Sequence, residues 1–275
     1  MERVVTSFIV FSILSVLLSG CSGGSSGGSE PIEPTAAHFE APNTQNIFLL
    51  NDTGCTNCIS NAGITACDPA IHLPQDGMYG RDFQSQTTLS KLGGGFAGYD
   101  FLKIDENGNA FSDQQADFDT TPWSCVYDVV TGLTWEVKTI ENTLRNWTAT
   151  YSWYDPDFDL NGGDAGIQNG GACQFGPCDT QSFIDAVNIS NLCGFNDWRL
   201  PTRQEFNSIV NYNFGQPNVV MHDSMYFPFG YNSNAYWTVT TDSEQSTQAW
   251  VFDSARNMVL PKNLAASIRL VRSTY

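Results

Sequence analysis

The feature that most constrains this 275-residue chain lies at its start, where an apolar run from Phe8 to Leu18 stops at Leu18-Ser19-Gly20-Cys21 and dissolves into Ser-Gly-Gly repeats. Arg3 supplies a positive flank, and the apolar core is too short for a stable bilayer-spanning helix, so residues 1–20 read as a cleaved export signal. Small Ser19 and Gly20 admit a peptidase beside Cys21, whose thiol is then the expected lipid attachment point; Ser22, not Asp, comes next. This is the pattern of a bacterial lipoprotein, and more than one acyl chain makes such an anchor stable. An ordinary buried cysteine behind an apolar helix is the competing reading. The chain beyond Cys21 is expected to fold in the cell envelope, anchored at an outer membrane, where thiols pair.

Seven cysteines remain, at 55, 58, 67, 125, 173, 178 and 193, which allows at most three bridges and leaves one thiol over. The preferred pairs are Cys58 with Cys67, Cys173 with Cys178, and Cys125 with Cys193. Cys55-Thr-Asn-Cys58 has a CxxC redox spacing but no βαβ context, and with Cys67 and His72 it matches no standard zinc spacing. A loop staple is the better reading there.

Residues 21–46 read as a linker: Ser22 to Ser29 is flexible, and Glu30-Pro-Ile-Glu-Pro34 adds a stiffer, extended piece. Folding is expected from Ile47-Phe48-Leu49-Leu50 onward. A composition of 41% hydrophobic, 13% aromatic and 15% charged residues supports a packed globular body. The net charge of −17 excludes nucleic acid as a natural ligand, because no basic stripe exists to displace counterions, and it disfavours anionic lipid and sulfated polymer.

Residues 47–122 read as an irregular extension. Within it, Phe101-Leu-Lys-Ile104, Asn107-Gly108 and Ala110-Phe111 predict a hairpin with a type I′ turn. From Trp123 the pattern changes. Leu133-Thr-Trp-Glu-Val137 alternates as a half-buried strand does, and a long Asp/Gly/Asn loop runs from Asp155 to about Pro177. Asp179 caps a helix with Phe183, Ile184 and Val187 on one face, ending at Cys193-Gly194. Thr202-Arg-Gln-Glu205 is a capping box opening a second helix with Phe206, Ile209 and Val210 as its apolar stripe. Strands are expected at 235–241, 248–254 and 267–273. The class is α+β, with two helices on largely antiparallel strands.

Several strings in this region carry a resemblance: Thr131-Gly-Leu-Thr-Trp-Glu-Val-Lys138, Trp153-Tyr154, Asn161-Gly-Gly163, Asn169-Gly-Gly171, Cys193-Gly-Phe-Asn-Asp-Trp-Arg-Leu-Pro-Thr-Arg203, Tyr236-Trp-Thr238 and Ile268-Arg-Leu-Val-Arg272. Residues 123–275 resemble the Lcl C-terminal domain family, and through it the sulfatase-modifying-factor fold. The resemblance implies a C-type lectin-like architecture, with twisted antiparallel sheets and long irregular loops. For the adhesin after which the family is named, it implies polysaccharide binding.

Three sets of residues are candidates for chemistry. Trp147, Trp153 and Tyr154 lie beside polar loops and are the better candidates for stacking against pyranose faces. Asp157, Asp159, Asn161 and Asp164, with Gly162, match the start of a calcium loop; Gln168 stands where a bidentate Glu would close it, and a solvated loop of Asx-turns is the alternative. Asp197, Trp198 and Arg199, with Thr202 and Glu205, could hold a sugar or lock a helix to the sheet, and locking is the preferred reading. Catalytic signatures are weaker. Gly23-Gly-Ser25-Ser-Gly27 lies in the linker, Gly93-Gly-Gly95-Phe-Ala-Gly98 lacks a strand–helix context, and His38, His72 and His222 form no HExxH.

These features lead to a surface-anchored lipoprotein with a lectin-like domain that binds glycan, matrix polymer or another surface protein, with calcium as its one candidate cofactor. The alternatives are a sulfatase-modifying-type enzyme, which would need a reactive cysteine, and a structural envelope component without a small ligand.

Overall fold

In the computed structural model, residues 50–72, 74–215, 222–230, 235–253 and 256–273 are described. Residues 1–49, on which the expected export signal, the expected lipid-bearing Cys21, the expected linker and Ile47-Phe48-Leu49 fall, lie outside the described residues. The chain runs through β1 (Asn57–Ser60), β2 (Gly63–Ala66), α1 (Gly80–Gln84), β3 (Phe101–Ile104), β4 (Cys125–Asp128), β5 (Leu133–Glu136), β6 (Tyr151–Ser152), α2 (Thr180–Ile189), α3 (Arg203–Asn207), β7 (Tyr236–Thr241), β8 (Gln248–Asp253), β9 (Arg256–Pro261), β10 (Ala265–Ala266) and β11 (Val271–Ser273). Short helices and several small antiparallel sheets make it α+β, as expected. No helix among the described residues is long and apolar enough to cross a membrane.

The central element is a four-stranded sheet in the order β11-β5-β4-β3, accompanied by a three-stranded β7-β8-β9 sheet and the pairs β1-β2 and β10-β6. Successive side chains of a strand point to opposite faces, and here both faces are covered. Leu102, Ile104, Cys125 and Tyr127 enter one core with Phe183 and Val187 of α2, while Phe101, Val126, Leu133 and Trp135 enter a second with Phe206 of α3. For this reason β5 is not half-buried as its alternation suggests: all four residues are buried. Its charged member, Glu136, is paired instead. The Glu136 carboxylate receives the Lys138 ammonium at 2.8 Å and the backbone N–H of Leu270 at 2.9 Å, and burial lowers the Lys138 pKa to about 8.

Both helix caps form as their residue types dictate. Asp179 accepts from the N–H of Ser182, and Thr202 and Glu205 make the reciprocal capping box. The helices are shorter than the apolar pattern implies. α3 ends at Asn207, so Ile209 and Val210 are buried beyond its end, and α2 ends at Ile189 before Asn191 turns left-handed. The 101–111 hairpin is also different. Phe101–Ile104 takes Cys125–Asp128 as its main partner, and only a single bridge joins Ile104 to Ala110. Gly108 alone in the turn has positive φ, and the Asp105 carboxylate accepts from the N–H groups of Asn107 and Asn109, an Asx-type turn in place of type I′.

The expected last strand, 267–273, is broken. Ala265–Ala266 pairs with β6 and Val271–Ser273 with β5, so this segment crosses between sheets. β9, at Arg256–Pro261, was not foreseen. Among the described residues the three disulfides are those preferred from the sequence, Cys58–Cys67, Cys125–Cys193 and Cys173–Cys178, and Cys55 is the free thiol.

Candidate functional site

The seven tryptophans separate into two groups. Trp123, Trp135, Trp153, Trp198 and Trp237 are buried, and four of them donate their indole N–H to a backbone carbonyl: Trp123 to Tyr226, Trp153 to Thr238, Trp198 to Leu192 and Trp237 to Tyr151. Trp153, expected to be exposed for stacking, is instead 0% exposed, because β6 carries it into the core beneath β7. Trp147 and Tyr154 are half-buried, as is Trp250 on β8, over which the Arg203 guanidinium stacks at 4.4 Å. Trp250 was missed from the sequence because it sits on an alternating strand like a core residue. Phe158 and Phe175 of the long loop are exposed as well.

The acidic loop holds a cation of the protein's own. Lys262, 2% exposed, donates to the carbonyls of Asn161 and Asp164 and stacks 4.1 Å over Trp153. The side chains named as calcium ligands turn to nearby N–H groups: Asp157 Oδ1 accepts from Asp159, Asn161 Oδ1 from Gly163 and Asp164 Oδ1 from Gly166. Asp157, Asp159 and Asp164 are not brought together. Among the described residues the carboxylates that do converge are Asp52, Asp76 and Asp82, with oxygens within 4.8 Å of one another. Burial pushes Asp82 up to about 6. Cys55, beside this group, has its thiol pKa raised by burial, with the three aspartates adding to the shift.

The Asp197-Trp-Arg199 string locks structure. Arg199 makes two bonds to Glu205, at 2.8 and 2.6 Å, and its backbone bridges Val271 of β11; Asp197 pairs with Arg272 at 2.7 Å. The Asn188 side chain closes both backbone groups of Trp198.

A polar cleft of about 500 Å³ opens where the 105–109 turn meets the end of α2, with Arg145 and Ser124 forming part of its lining. It was not visible in the sequence, because its walls come from segments up to ninety residues apart.

The fold defines a disulfide-braced α+β domain whose long, hydrogen-bonded loops surround two cores. Residues 124–272 match the family described as the Lcl C-terminal domain, and the chain belongs to that family. No curated protein matches the chain.

Proposed function

We propose that this is a lipoprotein anchored through Cys21 at the outer membrane, whose Lcl C-terminal domain binds saccharide in a surface or matrix polymer, with a C-type lectin-like architecture. The saccharide reading is supported chiefly by the sorting of the indoles. Of seven, only Trp147 and Trp250 are not buried, one face of Trp250 being covered by Arg203, and a sugar stacks on an aromatic ring only where a face is accessible and the polar edge is free to bond. The charge of −17 favours a neutral polymer over a sulfated one. Against a cysteine-based enzyme stands Cys55, whose thiol is pushed up, the opposite of what a nucleophile needs.

A glycan array probed with the mature protein, with and without calcium, tests the reading. At least one neutral glycan is expected to bind, with affinity falling severalfold in Trp147→Ala or Trp250→Ala. An array blank under both conditions would remove the saccharide reading. Mass spectrometry of the native protein tests the anchor separately: the expected amino terminus is a lipid-modified Cys21.

A further inference from the structure

Resting on the saccharide reading, the geometry points to the polar cleft as the seat of one sugar unit, and to a neutral, hydroxyl-rich ring as its occupant. Its volume of about 500 Å³ falls within the range of small-ligand sites, and Glu106, Asn107, Ser124, Arg145, Ser190 and Asn191 line it.

The floor of the cleft is held, while Glu106, Asn107, Ser190 and Asn191 stand exposed at its rim. Arg145 Nη1 donates to the carbonyls of Ser124 and Val137, and Cys193, in the cleft wall, is bridged to Cys125. Asn191 and Cys193 both stand at φ 54°. Four non-glycine residues among those described adopt positive φ, and two of them line this cleft. Backbone held in that region concentrates at binding sites, where surrounding structure enforces it.

The groups on offer select the ligand. Among the described residues the side-chain amides of Asn107 and Asn191 and the Glu106 carboxylate make no hydrogen bond, although the Asn107 and Asn191 backbones do. Ser190 donates to Val187 and keeps its lone pairs. One carboxylate and one guanidinium leave the lining without net charge. Amides and hydroxyls both donate and accept, as ring hydroxyls do, whereas an apolar ligand would strand them. A sulfate or phosphate would find a single cation already committed to two carbonyls, and a sugar acid would meet Glu106. Glu106 and Asn107 precede the family match at 124–272, so this chain's own extension contributes to the choice.

The mature protein is titrated calorimetrically with lactose, maltose, diacetylchitobiose and, as the acidic arm, glucuronic acid. Wild type is expected to bind at least one neutral disaccharide. Asn191→Gly should weaken that binding tenfold or more while Tm stays equal or rises, since glycine is at ease at this φ; Glu106→Gln should weaken it severalfold. If wild type binds but both variants bind as tightly, the cleft assignment is overturned and the saccharide reading survives. Preference for glucuronic acid overturns the neutral ring. Wild type binding none of the probes and no glycan on the array overturns both; array binding with none of these probes overturns the cleft assignment alone.

Discussion

His222 is the side chain in sharpest conflict with its surroundings. It is fully buried, its ring lies among Phe206, Phe227 and Tyr236, and neither ring nitrogen has a hydrogen-bond partner. Burial first, and then the Arg269 guanidinium, hold its pKa well below 6.5. The unfolded chain therefore takes up a proton that the folded chain refuses, so the stability this group supports is present above pH 6.5 and is lost as pH falls. Asp82 and Asp128 act with the opposite sign. Burial pushes both up to about 6 from 3.8, so their contribution is fully present below 3.8 and is lost as pH rises through 6. Between pH 7 and pH 5 the two effects oppose each other. His222→Phe keeps a ring in the aromatic cluster and removes the titrating group, and its stability relative to wild type should be greater at pH 5 than at pH 7, by at most about 2 kcal/mol. Its urea midpoint should rise more steeply on acidification from pH 7 to 5 than that of wild type, in which the loss at His222 offsets most of the gain at Asp82 and Asp128. A gain no larger at pH 5 than at pH 7 would assign the effect to packing alone. Nothing in the sequence marks His222, because its burial is made by residues of α3 and β7 that are distant along the chain.

At the level of elements, what could be read was local and what could not was long-range. α2 and α3 announced themselves through Asp179 and the Thr202–Glu205 box, since a cap needs only its own first turn. β9 escaped because it is an edge strand with no fully buried residue, ending at Pro261, and so lacks a clear apolar alternation. The loop from Asp155 was legible by composition, but the cation that organises it was not, because Lys262 lies a hundred residues onward. That ammonium suggests a decisive substitution. Lys262→Met keeps the stem over Trp153 but leaves the carbonyls of Asn161 and Asp164 without their donor. Each buried acceptor so stranded costs about 1–3 kcal/mol. The variant should lose stability by that order in urea unfolding and become sensitive to proteolysis within 155–166. Millimolar calcium should leave the wild-type Tm unmoved, because the site's positive charge is built in. A wild-type Tm that climbs with calcium would show that the loop takes a metal in addition to Lys262.

For the molecule as a whole, the question is whether the family domain stands without the extension before it. Residues 50–122 supply more than a tether: β3 forms the outer strand of the central sheet against β4, the Tyr99 hydroxyl donates to the carbonyl of Val210, and the Asn51 side chain donates to Asp128 and to the carbonyl of Ser208. Removing them bares the β4 edge, with its unpaired backbone groups, and opens the side of the second core that Phe101 and Tyr99 close. Against that loss stands the Cys125–Cys193 bridge, which spans 68 residues and removes unfolded-state entropy worth about 4 kcal/mol in the chain-entropy account. The bridge thus opposes the loss of the extension, and the redox state of the fragment tests how far. A fragment of residues 123–275 should fold when oxidised, with a lower urea midpoint than the mature protein, and should unfold on reduction. The mature protein should keep its fold in reductant under native conditions, since both cysteines of that bridge are fully buried, and lose first Cys58–Cys67 and Cys173–Cys178, each of which has one partly exposed cysteine. Circular dichroism with thiol counting at each step reads both. Equal midpoints for fragment and mature protein would show that the extension is carried by the domain and lends it no stability; a fragment that stays folded after reduction would show that its two cores are sufficient without the bridge.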